Sequence, residues 1–240
     1  MKGTRSMGYL QLRADPGEHR AAYASARPFP HAVLDGLFPD ALLDGVLADF
    51  PKPDDPSWSR FENALEKKLG NYGRLDETSE AIRRLLAALN GPEMLAFLEA
   101  LTGIDGLIPD PYFGGGALHQ IVPGGFLKVH ADFNWHPKLR LDRRLNVLIY
   151  LNRGWKSEYG GALELWDRAM AGPEKTILPD FNRTVVFSTT DSSFHGHPHP
   201  LACPPPMTRK SVSLYYYSNG RPDAEKSAPH DTLFPPTRRA

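Results

Sequence analysis

The sequence is poor in cysteine, since Cys203 is the only one among 240 residues. A single cysteine excludes an internal disulfide and offers no thiolate cluster for zinc. We predict that Cys203 is an inert thiol. The lack of cross-links is typical of a protein from a reducing compartment.

Net charge and long apolar runs are lacking too. Lysine plus arginine number 28 and aspartate plus glutamate number 28, so no overall field attracts nucleic acid or an anionic membrane. No apolar run approaches the roughly 20 residues that span a bilayer. The stretch MKGTRSMGYLQLRADPGEHR carries no apolar core of a signal peptide. We therefore expect a soluble cytoplasmic protein that binds neither nucleic acid nor membrane.

Composition and periodicity divide the chain into segments of one functional unit. We predict a polar N-terminal segment at 1–27, a helical support layer at 28–110, a β core at 111–220 and a Pro-rich, irregular tail at 221–240. Helices should begin near Asp40, at Thr78 or Ser79, and at Pro92, because apolar residues at helical spacing follow each. The tail could cross to a partner chain.

Beyond residue 111 the chain changes to short runs rich in β-branched and aromatic residues, separated by Gly, Pro, Asn and Asp. These runs predict strands at 117–122, 126–131, 145–151, 161–166, 175–178, 183–188 and 209–218. Almost no helical pattern lies between them, so the sheets should be antiparallel. We predict a mainly β fold with α, in which a sandwich or jelly roll carries an N-terminal helical layer.

The stretch KVHADFNWH suggests a metal site. His130 and Asp132 are two positions apart in a predicted strand, so their side chains share one face. A solvated strand end is the competing interpretation. The later stretch FHGHPHP adds His195, His197 and His199, of which one would suffice as a third ligand and at least two should face solvent. Two histidines and one carboxylate on a ferrous ion leave positions open for oxygen chemistry.

A candidate co-substrate anchor follows in the stretch RKSVSLYYY. Arg209 and Ser211 share one strand face, where a guanidinium and a hydroxyl can bind a carboxylate together. A buried arginine needs such a partner. Lys210 should lie on the opposite face, and the competing interpretation for Arg209 is a surface charge.

Taken in order, several motifs resemble the Fe(II)/2-oxoglutarate-dependent dioxygenases, in the prolyl-4-hydroxylase-like branch. They are HADFN, RRLNVLIYLN, YGGALELW, DFNRTVVFSTTDSSFHGHP and RKSVSLYYYS. The resemblance covers about residues 110–220 and implies a double-stranded β-helix, or jelly roll. It makes His130, Asp132 and His195 the catalytic metal ligands. A gapless comparison selects His195, and a shift to His197 stays open.

The same resemblance makes Arg209 the partner of the distal carboxylate of 2-oxoglutarate, assisted by Ser211 and Tyr150. It implies Fe(II) as cofactor and dioxygen as oxidant. Decarboxylation of 2-oxoglutarate to succinate would accompany hydroxylation of an unactivated carbon. Asp132 favours that outcome, since halogenating relatives carry a small residue in its place. The substrate is a small metabolite, an amino acid or a peptidyl group.

Two functions from other classes stay open. A cupin-type metal enzyme that does not use 2-oxoglutarate would not need Arg209 and Ser211. A non-catalytic jelly-roll binding module would tolerate loss of Asp132. The basic stretch HPKLRLDRR at 136–144 is expected to be a solvated loop or to attract an acidic substrate.

Overall fold

The structure, a computed structural model, describes residues 8–71 and 74–235. The α-helices in these ranges are α1 Pro16–Ser25, α2 Asp40–Ala48, α3 Glu80–Leu89 and α4 Pro92–Thr102. The strands are β1 His31–Asp35, β2 Ser59–Glu62, β3 Glu66–Asn71, β4 Ile108–Pro109, β5 Ala117–Ile121, β6 Phe126–His130, β7 Trp135–His136, β8 Leu141–Tyr150, β9 Leu163–Trp166, β10 Pro173–Ile177, β11 Arg183–Ser188, β12 His195–His197 and β13 Arg209–Ser218.

The strands join in a single sheet. Its order is β1-β11-β8-β13-β5-β3-β6-β12-β9-β10, with β2 beside β3, β4 beside β13 and β7 beside β8. Every pairing between these strands is antiparallel. Strands far apart in sequence are neighbours, as in a jelly roll. The predicted mainly β, antiparallel architecture is confirmed.

Alternation along two central strands separates the core from an internal cavity. Val147 and Ile149 of β8 pack in the hydrophobic core that the sheet shares with α2, α3 and α4. Val212 and Leu214 of β13 lie in the same core. Because side chains alternate between the two faces of a strand, the residues between them point into the cavity.

The three helices predicted in the first half of the chain are present. The helix α2 begins at Asp40, and α3 is capped by Ser79, whose Oγ accepts a hydrogen bond from Ile82 N at 3.3 Å. The helix α4 has Pro92 in its first turn and ends at Gly103, whose φ of 73° is the left-handed conformation that glycine favours. None of the helices in the described ranges has the length and apolar character that a bilayer crossing requires.

The segment 28–110 is not only helical, contrary to the prediction. It also provides β1, β2, β3 and β4 to the sheet. Local sequence gives little sign of β3, EKKLGN, because its residues are mostly charged or small. Pairing with β2 on one edge and with β5 and β6 along the other stabilises it as a strand.

The terminal segments also contain short elements. The helix α1 lies within the polar segment 1–27, where Asp15 Oδ1 accepts a hydrogen bond from Gly17 N at 2.8 Å. Its one buried residue is Tyr23, which explains why the helix has no apolar periodicity. The tail contains a 3-10 turn at Asp223–Glu225 and one β-bridge at Leu233. Residues 1–7 and 236–240 of the two predicted segments lie outside the described residues.

Tyr216→Phe is expected to destabilise the contact between the sheet and α3. The fully buried Tyr216 hydroxyl donates to Leu89 O at 2.7 Å, a carbonyl in the last turn of α3. Removing the donor leaves this carbonyl buried and unpaired, so the free energy of unfolding should fall by about 1–2 kcal/mol in urea denaturation. Tyr112→Phe is the control, since the Tyr112 side chain is 51% exposed. An equal loss in both variants would contradict the assignment.

Candidate active site

Two paired strands bring the predicted metal ligands together. His130 ends β6, and its register partner on β12 is His195. Asp132 follows β6 directly. Its Oδ1 lies 3.5 Å from His130 Nε2, and its Oδ2 lies 3.5 Å from His195 Nε2. The three ligand atoms all lie within 4.8 Å of one another, close enough to share one metal ion.

Backbone carbonyls orient both imidazoles. His130 Nδ1 lies 2.9 Å from Lys128 O, and His195 Nδ1 lies 2.9 Å from Ser193 O. Because a carbonyl only accepts hydrogen bonds, each Nδ1 carries a proton and each Nε2 is the nitrogen that faces Asp132. Metal-binding histidines use this arrangement. Burial lowers the pKa of His195 to about 4, so the ring is neutral.

The Asp132 carboxylate is held in its ionised form. Asn146 Nδ2 donates to Asp132 Oδ2 at 2.7 Å, and Arg143 Nη2 lies 3.2 Å from the same oxygen. Burial by itself raises the pKa of this carboxyl, but the Arg143 guanidinium, with smaller contributions from His195 and His130, holds the pKa of Asp132 well below its ordinary value. The donor set of two imidazoles and one carboxylate fits Fe(II).

The basic stretch 136–144 is not one solvated loop. Arg143 and Arg144 lie within β8 and are 1% and 9% exposed. The solvated-loop interpretation is wrong for both, because Asp132 and Glu225 compensate their charges, the latter at 3.5 Å from Arg144. The Arg143 guanidinium also stacks between two aromatic rings of the cavity wall. Strand alternation continued backward from the predicted start at 145 would have put Arg144 on the cavity face. A register irregularity in β8 at Arg144 brings Arg143 there instead, and the sequence has no local signal for it.

His197 lies outside the cluster of ligand atoms. We expected at least two of the three histidines to face solvent, and this is wrong for His197, which is 4% exposed and lines the cavity. The reason is that β12 lies inside the sheet, between β6 and β9. Among the described residues its Nδ1 has no hydrogen-bond partner, and burial lowers its pKa well below the ordinary value. His199 is exposed, as predicted.

Arg209 lies at another part of the same cavity. Its side chain is buried; Nε donates to Gly161 O at 2.7 Å and Nη2 to the Tyr150 hydroxyl at 3.3 Å. Ser211 faces Tyr150 in the strand register. No carboxylate of residues 8–71 or 74–235 pairs with Arg209. Since a buried charge without a counter-charge is costly, this guanidinium suits the carboxylate of a bound ligand.

Gly161 is a site residue that sequence reasoning did not identify. Its φ is 70°, and its carbonyl accepts from Arg209 Nε. A Cβ at this position would lie 3.0 Å from Arg209 Cδ and 2.5 Å from Leu201 Cδ2. Only glycine therefore lets the backbone hold the guanidinium in place. The glycine pair Gly160–Gly161 at the start of the strand predicted at 161–166 was the available signal.

One cavity of about 260 Å³ connects Arg209 with His130, Asp132 and His195, here called the metal cluster. Its lining includes Ser211 and Tyr150, as the resemblance implies, and His119, while the neighbouring Gln120 is directed to Thr208. Sequence reasoning missed Lys68 of β3 and Phe234 of the tail, which also line it. Both reach the cavity through long-range pairing, for which the sequence has no local signal.

Comparison with known proteins agrees with this geometry. Residues 116–217 match the profile of the 2OG-Fe(II) oxygenase superfamily. Among curated proteins, no relative matches the sequence.

Solved structures share the fold. A prolyl-4-hydroxylase from Pseudomonas putida is 17% identical, with 85% of this chain and 100% of that chain covered and a TM-score of 0.57. A prolyl hydroxylase from Trichoplax adhaerens, in complex with a hypoxia inducible factor peptide, is 17% identical over 84% and 89% of the two chains, with a TM-score of 0.60. HygX from Streptomyces hygroscopicus, with nickel, 2-oxoglutarate and hygromycin B bound, is 12% identical over 90% and 96%, with a TM-score of 0.56. The predicted double-stranded β-helix is confirmed, and the profile match supports the resemblance to 2OG-Fe(II) oxygenases over residues 116–217.

Gly196→Ala is expected to weaken metal binding. A Cβ on Gly196 would lie 2.9 Å from Leu127 O and 3.0 Å from Lys128 C, so alanine must move β12 and His195 away from β6. The affinity for Co(II), followed by visible absorption, should fall roughly 10-fold or more. Gly172→Ala is the matched control, because a Cβ there meets nothing within 4 Å. Unchanged affinity in Gly196→Ala would show that the ligand cluster does not depend on this strand contact.

Proposed function

We propose that this chain, whose residues 116–217 match the profile of the 2OG-Fe(II) oxygenase superfamily, is an oxygenase that hydroxylates an unactivated carbon of its substrate. The main support is that one cavity holds both the cluster of His130, Asp132 and His195 and the guanidinium of Arg209. A molecule with a 2-oxo acid at one end and a carboxylate at the other matches these two features. 2-Oxoglutarate is such a molecule.

The metal ligands have one task in this proposal, which is to hold Fe(II) through three positions and leave the others open. Fe(II) bound with 2-oxoglutarate and dioxygen supplies the oxidant that converts C–H to C–OH, while 2-oxoglutarate becomes succinate and carbon dioxide. The hydrogen bond from Asn146 and the charge of Arg143 keep Asp132 ionised and oriented for the metal. A carboxylate at this position favours hydroxylation over halogenation.

Arg209 would bind the distal carboxylate of 2-oxoglutarate. The Tyr150 hydroxyl accepts a hydrogen bond from Arg209 Nη2, so its own proton is available for the same carboxylate. Ser211, opposite Tyr150 in the register, adds a second hydroxyl. Gly161 fixes the guanidinium through Nε, which leaves the outer nitrogens for the ligand.

Aromatic rings would keep water away from the metal. Phe187 packs on His195 with ring centroids 4.7 Å apart, and Phe234 packs on His130 at 5.5 Å. Phe133 and Tyr215 enclose the guanidinium of Arg143 at 4.2 and 3.5 Å from their centroids. Such a dry wall strengthens charge interactions inside the cavity and limits side reactions.

Solved structures that share this fold bind different kinds of molecule, so the fold by itself does not determine the substrate class. The Trichoplax adhaerens enzyme binds a peptide fragment, and HygX binds hygromycin B. Our proposal covers a small metabolite, an amino acid or a peptidyl group. A cupin-type enzyme without 2-oxoglutarate is less well supported, because it would leave the buried Arg209 without a carboxylate.

A spectroscopic titration tests the ligand set. Under argon, addition of Fe(II) and then 2-oxoglutarate should produce a metal-to-ligand charge-transfer band. His130→Ala and His195→Ala should abolish the band, and His197→Ala should keep it, because His197 lies outside the cluster. Loss of the band in His197→Ala and its retention in His195→Ala would instead make His197 the third metal ligand. Metal binding without any band in the unmodified protein would favour the cupin-type alternative.

Arg209→Ala should weaken 2-oxoglutarate binding by roughly 10- to 100-fold, because charge-assisted hydrogen bonds to the distal carboxylate are lost. Titration of the charge-transfer band measures this change. Lys210→Ala is the matched control, since the neighbouring side chain lies on the other strand face and donates to Thr208 Oγ1 at 2.6 Å. Equal affinities in the two variants would contradict the role of Arg209.

A further inference from the structure

The C-terminal residues 227–235, here called the strap, cross the cavity on their own chain. Ala131 N donates to Leu233 O at 2.9 Å, and Leu233 N donates to Ala131 O at 2.8 Å. Ala131 lies between His130 and Asp132, so the strap pairs with the backbone link of the metal cluster. Addition of an extended segment to an open strand edge is a general mode of peptide binding. In this chain the strap already occupies the backbone edge at Ala131.

A buried side chain fixes the first half of the strap. Asn134 Nδ2 donates to Ser227 Oγ and to Ala228 O, both at 2.9 Å, and Asn134 Oδ1 accepts from His230 N at 2.9 Å. His230 Nε2 also lies 2.9 Å from Asp191 Oδ1. Asn134 is 7% exposed, and both ends of its amide are used by the strap. The strap is therefore held at several points.

The second half of the strap forms part of the cavity wall. Thr232 and Phe234 line the cavity, while Leu233 between them is 40% exposed, the alternation of an extended chain. The Phe234 ring packs on His130. The wall beside the metal cluster thus includes one apolar ring and one hydroxyl from the tail.

The enclosed volume limits what can enter with the strap in place. The cavity measures about 260 Å³, below the roughly 300–1,000 Å³ that is common for ligand pockets. 2-Oxoglutarate would occupy part of it. An extended peptide that added to the backbone edge at Ala131 would have to displace Leu233, which already pairs there.

We propose that the strap takes the place of a peptide substrate and restricts the enzyme to small molecules, with Thr232 and Phe234 as specificity-determining contacts. This inference rests on the proposed function for its substrate. The docking of the strap itself requires neither iron nor 2-oxoglutarate.

Competition with the strap sequence tests the docking. The probe is a fluorescein-labelled peptide of residues 227–240, SAPHDTLFPPTRRA, whose binding is followed by fluorescence polarisation without metal. Leu233→Pro removes the N–H that donates to Ala131 O, so it should bind the peptide roughly 10-fold or more tightly than the unmodified chain. Leu233→Ala keeps the N–H and should behave like the unmodified chain. Equal binding by all three proteins would overturn the proposal.

Hydrogen exchange gives a second measurement on the unmodified chain, independent of how well the variants fold. The Ala131 amide donates to Leu233 O, so it should exchange slowly in the full chain and faster in Leu233→Pro. Unprotected exchange at Ala131 in the unmodified chain would show that the strap is not docked in solution.

Succinate release tests the substrate class. With Fe(II), 2-oxoglutarate and dioxygen, the unlabelled peptide should leave succinate release by the unmodified chain at its substrate-free rate. Equal stimulation of the unmodified chain and Leu233→Pro would overturn the restriction to small molecules. Absence of the charge-transfer band would instead overturn the proposed function, while the polarisation and exchange results would still decide whether the strap docks.

Discussion

The negative charge of Asp132, a buried carboxylate, has to be compensated, and this requirement links the strands that form the site. Asp132 is buried between two imidazoles, and an ionised group in that position is costly unless an opposite charge is near. Arg143 supplies this charge at 3.2 Å from Oδ2, and Asn146 adds a hydrogen bond at 2.7 Å. Both are residues of β8, whereas Asp132 follows β6. The metal cluster therefore depends on the curled sheet, which brings these two strands to opposite sides of one cavity.

The periodicity of the strands in the same antiparallel sheet places the residues proposed to bind the co-substrate. Arg209 and Ser211 of β13 face the cavity, while Val212 and Leu214 enter the core. The register opposes Ser211 to Tyr150 of β8. A slip by one residue would send the guanidinium to the core face and bring an apolar side chain into the cavity. Packing of the helices on the opposite face thus fixes the chemistry of this region.

Sequence reasoning succeeded where the signal is local. The spacing of His130 and Asp132 and the strand at 209–218 follow from a period of two. The burial of His197 was not predicted, because it depends on β12 having neighbours on both sides. The charged strand β3 and the tail residue Phe234 were missed for the same reason. β3 pairs with β5 and β6 across 47 to 61 residues, and Leu233 pairs with Ala131 across 102 residues. Helix and strand patterns are insensitive to partners this far away.

The strap also bears on the geometry of the metal cluster. Ala131 is fully buried, and its N–H and C=O are both paired with Leu233. Without the strap these two groups would need water or another chain, because buried backbone groups are rarely left unpaired. The strap therefore supplies hydrogen-bond partners for both backbone groups of Ala131, the residue between His130 and Asp132. Its Phe234 ring packs on His130. A substitution in the strap would therefore also disturb His130 and Asp132, because the contacts proposed to set specificity are made to the same residues that would hold the metal.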